Sequence, residues 1–164
     1  MAASHKLDRM DIRILSELQK NGRMTNVSLA DKVGLSASPC LKRIKKLEES
    51  RYILGYGAQV DLVKLGDFVT VFTEFTLKQH FSHSFAEFEK VLNRMPEVVE
   101  CHLISGGYDY LVKFVVRSIN HYQQVVDELL ADEELVKEYF SYIVIKSPIA
   151  GRGVALESVF NGHA

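Results

Sequence analysis

The sequence has no tryptophan, three prolines and two cysteines among its 164 residues. Cys40 and Cys101 are too few for the disulfide framework of a small secreted domain, so we interpret both as reduced structural thiols. No uninterrupted apolar run reaches the roughly 20 residues that a membrane-spanning helix needs. The polar start of the chain, MAASHKLDRMD, lacks the apolar core of a signal peptide. We therefore expect a cytoplasmic protein with no membrane partner.

Motifs that would indicate an enzyme or a metal site are also missing. No nucleophile elbow is present, and Gly106-Gly107 lacks the rest of a Walker or Rossmann phosphate loop. His80 and His83 lie three residues apart, but a zinc site requires more ligands at a defined spacing, and His121 lies far along the chain. We interpret these histidines as solvated or packing residues, and we expect no catalytic residue, metal or cofactor.

Charge is distributed unevenly along the chain, although the formal net charge is only −1. Residues 1–60 contain 11 basic and 6 acidic side chains, a net charge of +5. Residues 61–164 contain 9 basic and 15 acidic side chains, a net charge of −6. This asymmetry predicts an N-terminal module that binds a polyanion, joined to a region with a different task.

The N-terminal pattern predicts two helices and a tight turn. Apolar residues at a spacing of three and four predict a first helix over Asp8–Gln19. Thr25 is placed to cap the second helix, because its hydroxyl can accept a hydrogen bond from a free backbone N–H. Gly34 stands where a left-handed residue is expected to end that helix.

A third helix carries four cations within five residues. Ser36 or Ser38 can cap this helix, and a proline falls in its first turn, where a missing N–H costs nothing. We predict that its buried stripe is formed by Leu41, Ile44 and Leu47. At about 100° per residue, the cations then occupy the opposite face and its flanks.

This cationic face indicates a helix-turn-helix, whose second helix enters the major groove of DNA. A run of cations can also be an ordinary solvated helix face. We favour DNA binding because a helix and a glycine turn of suitable length precede it, and because no acidic residue at i+4 pairs with the cations before Glu49. The predicted DNA contacts are Ser36, Ser38, Pro39, Lys42, Arg43, Lys45 and Lys46.

The remainder of the sequence predicts a sheet with two helices. Arg51–Tyr56 is typical of a turn into a strand, a possible wing that continues as Ala58–Leu62. A capping-box pattern at Ser84 and a cap at Ser118 each open a helix. Strands are predicted over Phe68–Leu77, Val98–Ser105, Tyr110–Arg117 and Tyr139–Lys146.

This β-α-β, β-α-β order is that of a ferredoxin-like domain with an antiparallel sheet. The predicted fold class is therefore α+β, with a helix-turn-helix domain at 1–55, a β linker at 56–66 and a ferredoxin-like domain at 67–164. Residues 151–164 either add a short strand at Val154–Val159 or fray. Strands that are apolar on both faces need a second cover, and another copy of the chain would supply it.

The order of elements and three strings resemble the Lrp/AsnC family of feast/famine regulators. The strings are LDRMDIRILSELQKNGRMTNVSLADKVGLSASPCLKRIKKLE, ECHLISGGYDYLVKF and YFSYIVIK, and the similarity extends from Leu7 to Lys146. The family's Gly-Asp/Glu-x-Asp-Tyr turn is present as Gly106–Tyr110, with Gly107 in place of the usual acid.

The resemblance implies a sequence-specific transcription regulator that binds an operator in double-stranded DNA and works at the nucleoid. It implies dimers, their assembly into a tetramer of dimers, and an amino-acid effector bound between dimers. The residues that match effector positions are His102, Leu103, Ser105, Gly106, Gly107, Tyr108, Asp109, Tyr142, Ile143 and Val144.

An amino acid would need a carboxylate for its ammonium group, free N–H groups for its carboxylate and an apolar wall. We assign Asp109 to the first task, the Gly106-Gly107 backbone to the second, and Tyr142 and Val144 to the third. The same turn residues are also those of an ordinary hairpin.

Two other functions stay open at this point. Siroheme decarboxylases resemble the family in architecture, but an enzyme has no need of a basic third helix. A stand-alone amino-acid sensor would act through protein partners and would not bind DNA at low salt.

Overall fold

The computed structural model describes residues 6–131 and 135–160. The chain forms two compact units, one made of residues up to 60 together with those from 149 onward, and the other of residues 61–148. Within the described residues, no helix has the length and apolarity that a bilayer span requires. In chain order the elements are α1 Arg9–Lys20, α2 Asn26–Val33, α3 Ala37–Glu49, β1 Val69–Leu77, α4 Ser82–Leu92, β2 Val98–Leu103, β3 Tyr110–Val116, α5 Ile119–Leu129, β4 Val136–Ile143 and α6 Leu156–Phe160.

The three predicted N-terminal helices are present, and local hydrogen bonds explain where the first two begin and end. A capping box opens α1, because the Asp8 carboxylate accepts from the Asp11 N–H at 2.9 Å and the Asp8 N–H donates to the Asp11 carboxylate at 3.1 Å. The Thr25 hydroxyl accepts from the Ser28 N–H, as expected of an N-cap. Gly34 is left-handed, with φ of 76°, and ends α2 as predicted.

The buried stripe of α3 differs from the prediction at one position. Leu41 was expected to face inward, but it is 43% exposed, and the fully buried residue is Cys40. At about 100° per residue, Cys40 lies between the directions of Ile44 and Leu47, whereas Leu41 lies to one side of them. The prediction for Leu41 is therefore wrong. The core of this unit contains Ile14, Leu29, Ala30, Val33, Cys40 and Leu47.

Two predicted strands around this unit are absent from the described residues. The segment that follows α3 forms no strand, and a short 3-10 turn at Leu62–Lys64 is its only regular element. An isolated extended segment has no neighbouring strand to pair with, so apolar and β-branched residues alone do not produce a ladder. The tail forms α6 rather than a strand at Val154–Val159, and α6 packs against α1. Of the two alternatives for the tail, the strand at Val154–Val159 is therefore wrong, and residues 161–164 lie outside the described residues.

The second unit is a four-stranded antiparallel sheet with the order β2-β3-β1-β4. This is the predicted ferredoxin-like arrangement. Alternate residues of each strand point to opposite faces, and β3 buries Tyr110, Val112, Phe114 and Val116 against the helices. The core is completed from the helix side by Phe88, Leu92, Tyr122, Val125, Val126 and Leu129.

Several element limits in this unit differ from the predictions. Helix α4 begins at Ser82, and its N-cap is Phe81, whose carbonyl accepts from the Ser84 N–H at 3.0 Å. The predicted capping box at Ser84 is therefore wrong, because that residue is already inside the first turn. Ser118 does cap α5. The apolar spacing of this helix predicts that Ile119 faces inward with Tyr122 and Val126, but Ile119 is 45% exposed, so that prediction is wrong. Strand β4 starts and ends three residues earlier than predicted.

Candidate nucleic-acid interface and ligand site

The outward face of α3 presents most of the residues predicted to contact DNA. Placing Cys40 on the inner stripe turns the helix slightly, so that Lys42 and Lys45 point most directly away from the core. Lys46 lies beside them and is also exposed. Ser36 forms no side-chain cap, which leaves the first N–H groups of the helix available. The exposed members of the predicted set are Ser36, Ser38, Pro39, Lys42, Lys45 and Lys46.

Arg43, the remaining member of that set, is bound to α1. Its guanidinium lies 2.7 Å from the carboxylates of both Asp8 and Asp11, and the Asp11 side chain is only 1% exposed. Burial raises the pKa of Asp8, but hydrogen bonds from the Asp11 N–H and from Arg43 outweigh it and hold that pKa below its ordinary value. Arg43 thus joins α3 to α1. The sequence prediction missed this contact because it considered only acidic residues within α3 itself.

The start of α3 is held in place by the preceding helix. The Asn26 side-chain amide donates to the Ala37 carbonyl at 2.8 Å. Because this bond joins the first residue of α2 to the first residue of α3, it limits how the two helices can move against each other.

Asp109, in the turn between β2 and β3, is engaged with its own unit. Its carboxylate accepts from the Leu77 N–H at 2.8 Å and lies 3.0 Å from Nε2 of His80. Its backbone N–H donates to the Phe75 carbonyl at 2.9 Å. The Asp109 side chain therefore ties the turn to the end of β1, a contact that competes with its predicted role as the partner of an ammonium group.

The same turn has free backbone donors. Across residues 6–131 and 135–160, the N–H groups of Gly106, Gly107 and Tyr108 donate no hydrogen bond. A Cβ at Gly107 would meet open space, and its φ is not positive. The acid that the family usually has there would consequently fit.

Glu74 is a residue that the sequence predictions missed. It is the one charged residue of β1, and the Tyr142 hydroxyl donates to its carboxylate at 3.2 Å. Loss of solvent contact and the nearby Glu74 carboxylate raise the pKa of the Tyr108 and Tyr142 phenols. Glu74 thus lies between two parts of the predicted effector site that are distant in sequence, and its isolation within an apolar strand was the signal available.

The other predicted effector residues fall on both faces of the sheet. Strand pairing places Leu103 opposite Tyr110 and Ile143 opposite Val71, on the side covered by the helices. His102 points to the open side, with Nε2 at 3.7 Å from the Glu100 carboxylate. A single surface therefore does not include all ten residues.

The histidines set aside as ligands have protein neighbours. His80 pairs with Asp109, His83 stacks on Phe81, and His121 lies 3.2 Å from the Glu97 carboxylate. In the part of the chain that the structure describes, no group of three or more His, Cys, Asp or Glu residues could hold a metal ion.

Comparison with known sequences and structures identifies both units. Residues 7–53 match the winged helix-turn-helix DNA-binding family, and residues 70–154 match the Lrp/AsnC ligand binding domain. The chain is 43% identical over 142 residues to the transcriptional regulatory protein DoeX of Halomonas elongata, covering 87% of this chain and 90% of that protein. It is 39% identical over 140 residues to the leucine-responsive regulatory protein of Escherichia coli, covering 85% of each.

A solved structure gives the same result. The complex of a Neisseria meningitidis transcriptional regulator with L-methionine superposes with a TM-score of 0.85 at 30% identity, covering 93% of this chain and 99% of that chain. The predicted family and the predicted α+β architecture are confirmed. The chain belongs to the Lrp/AsnC family, and it is a DNA-binding transcription regulator with a helix-turn-helix domain and a ligand-binding domain.

Proposed function

We propose that α3 lies in the major groove of a specific operator, with its outward cations on the phosphates. The observation that carries this proposal is the exposed face that contains Lys42, Lys45 and Lys46. The uncapped N-terminus of α3, with Ser36, Ser38 and Pro39, is small enough to approach the bases and has N–H groups for a phosphate. We leave Arg43 out of the proposed contact set, because its guanidinium pairs with Asp8 and Asp11 of α1.

Selection of genomic fragments by the purified protein, followed by footprinting, tests this function. We expect a site with two related halves, since a dimer presents two recognition helices. A protein that shows no DNA affinity even at low salt would instead support the stand-alone sensor.

The ligand of the second unit is, we propose, an amino acid. The support comes from the relatives, one named leucine-responsive and one solved with L-methionine, and from the free N–H groups of the Gly106–Tyr108 turn. These donors suit the carboxylate of the ligand. Tyr142 and Val144 would form the wall beside its side chain, and Ser105 would line the turn. His102, Leu103 and Ile143 would then act on the site through the sheet or through a neighbouring copy.

A thermal-shift screen of the twenty amino acids tests this assignment, because a ligand that binds only the folded state raises the melting temperature. We expect one amino acid or a small chemical class to raise it. If none does, the amino-acid assignment is wrong.

The open face of the sheet supports a further proposal, that the chain forms dimers and that dimers assemble further. Phe140 and Tyr142 are 58% and 52% exposed there. Light scattering with and without the amino acid would measure the assembly. We also propose that the protein acts on chromosomal DNA in the cytoplasm without catalysis. A coloured, haem-like species copurifying with the protein would contradict this and favour the decarboxylase.

A further inference from the structure

The carboxylate of Glu74 lies in an environment that favours a bound cation. Its neighbours along β1, Thr73 and Phe75, are fully buried on the helix side, so Glu74 points to the open face of the sheet. Strand pairing places Leu111 on one side of it and Phe140 on the other. Glu74 is half-buried and its bond to Tyr142 lies at the surface, so a ligand from solution can reach the carboxylate. Apolar neighbours favour a cationic or hydrogen-bonding partner for such a charge.

The partners that Glu74 has are neutral. The Tyr142 hydroxyl donates to it at 3.2 Å, and the Tyr108 phenol faces the same carboxylate. Throughout residues 6–131 and 135–160, no lysine, arginine or histidine lies within ion-pair distance of Glu74. The nearest cation on this face by strand register, Lys113, is already paired with Glu100 at 2.7 Å. The group thus has hydrogen-bond donors but no opposite charge.

We propose that Glu74 binds the α-ammonium group of the amino-acid effector, with the two phenols orienting its carboxylate. This inference rests on the proposed function. It assigns to Glu74 the task that the sequence suggested for Asp109, whose carboxylate is occupied by the Leu77 N–H and His80. An ammonium group suits the site better than a metal ion does, because one carboxylate with two phenols provides too few anionic ligands for a metal.

The position of Glu74 also explains why residues of two distant segments belong to one site. Tyr108 belongs to the turn with the free N–H groups, and Tyr142 lies on β4. Both phenols meet at Glu74, so a ligand bound there would contact the turn and β4 together.

The test compares Glu74→Gln with the wild type, using L-leucine and L-methionine as probes. Each probe is paired with the corresponding carboxylic acid that lacks the amino group. Glutamine keeps the size of the side chain and an acceptor for the phenols but removes the charge. We expect Glu74→Gln to weaken amino-acid binding by roughly 10- to 100-fold in calorimetric titration, the usual value of a hydrogen bond to a charged group. Binding of the acid without the amino group should be unchanged or tighter.

Glu100→Gln is the matched control, because it removes the same charge from a carboxylate of the same sheet that already has Lys113 as its partner. It should leave both affinities unchanged. Tyr142→Phe is a second variant that keeps the charge of Glu74 and removes one donor. We expect Tyr142→Phe to lower the preference for the amino acid over the acid without the amino group by roughly 2- to 10-fold.

Several results would overturn the proposal. If Glu74→Gln folds and retains the wild-type preference for the amino acid, Glu74 does not bind the ammonium group. If Glu74→Gln changes the molecular mass in light scattering but not that preference, Glu74 pairs with a cation of another copy. If Glu74→Gln does not fold, Tyr142→Phe provides the test instead. An unchanged preference for the amino acid in Tyr142→Phe would then contradict the proposal. If the wild type binds no amino acid, the proposed function fails as well.

Discussion

The two units of this protein place their functional charges differently. In the DNA-binding unit, the lysines of α3 extend into solvent from one helix and lie within a few residues of one another. In the ligand-binding unit, one carboxylate on β1 meets phenols from a turn and from β4, and Tyr142 is 68 residues away in sequence. A surface that binds a long polyanion can thus be formed by one element, whereas a site for a small ligand depends on several.

The units also share a feature, since each has a charged motif residue that stabilises the fold. Arg43 belongs to the cationic run of α3 but pairs with Asp8 and Asp11 of α1. Asp109 belongs to the family turn but accepts from the Leu77 N–H. In both units, therefore, a charged residue that belongs to the motif stabilises the fold, and the motif alone does not show which of its residues contact the ligand or the DNA.

The largest effect that we expect is on DNA binding. Replacing Lys42, Lys45 and Lys46 together by alanine should weaken operator binding at least roughly 100-fold at moderate salt. It should lower the slope of log K against log salt by about 2.7 per protomer, or about 5.4 for a dimer, since each phosphate contact contributes about 0.9. Binding titrations over a salt series measure both. Lys78, Lys90 and Lys137 replaced by alanine form the charge-matched control, because these exposed lysines lie in the other unit. An unchanged slope in the first variant would mean that α3 does not face phosphates.

Arg43→Ala should act on stability instead. Removing the guanidinium breaks the ion pairs that join α3 to Asp8 and to the buried Asp11 of α1, and we expect a loss of about 2–3 kcal/mol in the free energy of unfolding. Urea denaturation would detect it. Lys42→Ala, the neighbouring exposed position, should change stability by less than about 0.5 kcal/mol. If Arg43→Ala is as stable as Lys42→Ala but loses DNA affinity, Arg43 contacts DNA after all.

Asp109→Ala should destabilise the ligand-binding unit by about 1–2 kcal/mol, because the Leu77 N–H loses its acceptor in a buried position. Asp109→Asn keeps an oxygen that can accept this bond, so most of the stability should return. Urea denaturation measures the stability of both variants, and hydrogen exchange of the amides in the ligand-binding unit shows whether the loss is local to that unit. Equal stability of the wild type and Asp109→Ala would mean that the hydrogen bond between Asp109 and the Leu77 N–H does not stabilise the unit.

The smallest expected effect is the contribution of Asp8 to pH dependence. Its pKa is lowered in the folded protein, so the stabilisation is complete above the unfolded value of about 3.9 and is lost as the pH falls through the lower folded value. Acid titration of the urea midpoint below about pH 4 should therefore show a steeper fall for the wild type than for Arg43→Ala. Parallel curves would indicate that Arg43 does not hold the Asp8 pKa down.

Much of the fold could be predicted because its signals are local. The Thr25 cap, the left-handed Gly34 and the alternation of β3 each depend on a few consecutive residues. Where a signal depended on a partner, the predictions failed: the segment that follows α3 has no neighbouring strand, and the tail forms a helix on α1. For the site, helical spacing identified the exposed lysines, but the partners of Arg43 lie 32 and 35 residues away.

The sequence by itself determined the family, the order of the elements and the cationic face of α3, because periodicity, capping and charge act over one or two turns of chain. Only the tertiary structure decided that Arg43 and Asp109 have protein partners and that Glu74 lies between Tyr108 and Tyr142. Those contacts depend on helix packing and strand register, which bring together residues that no local pattern connects.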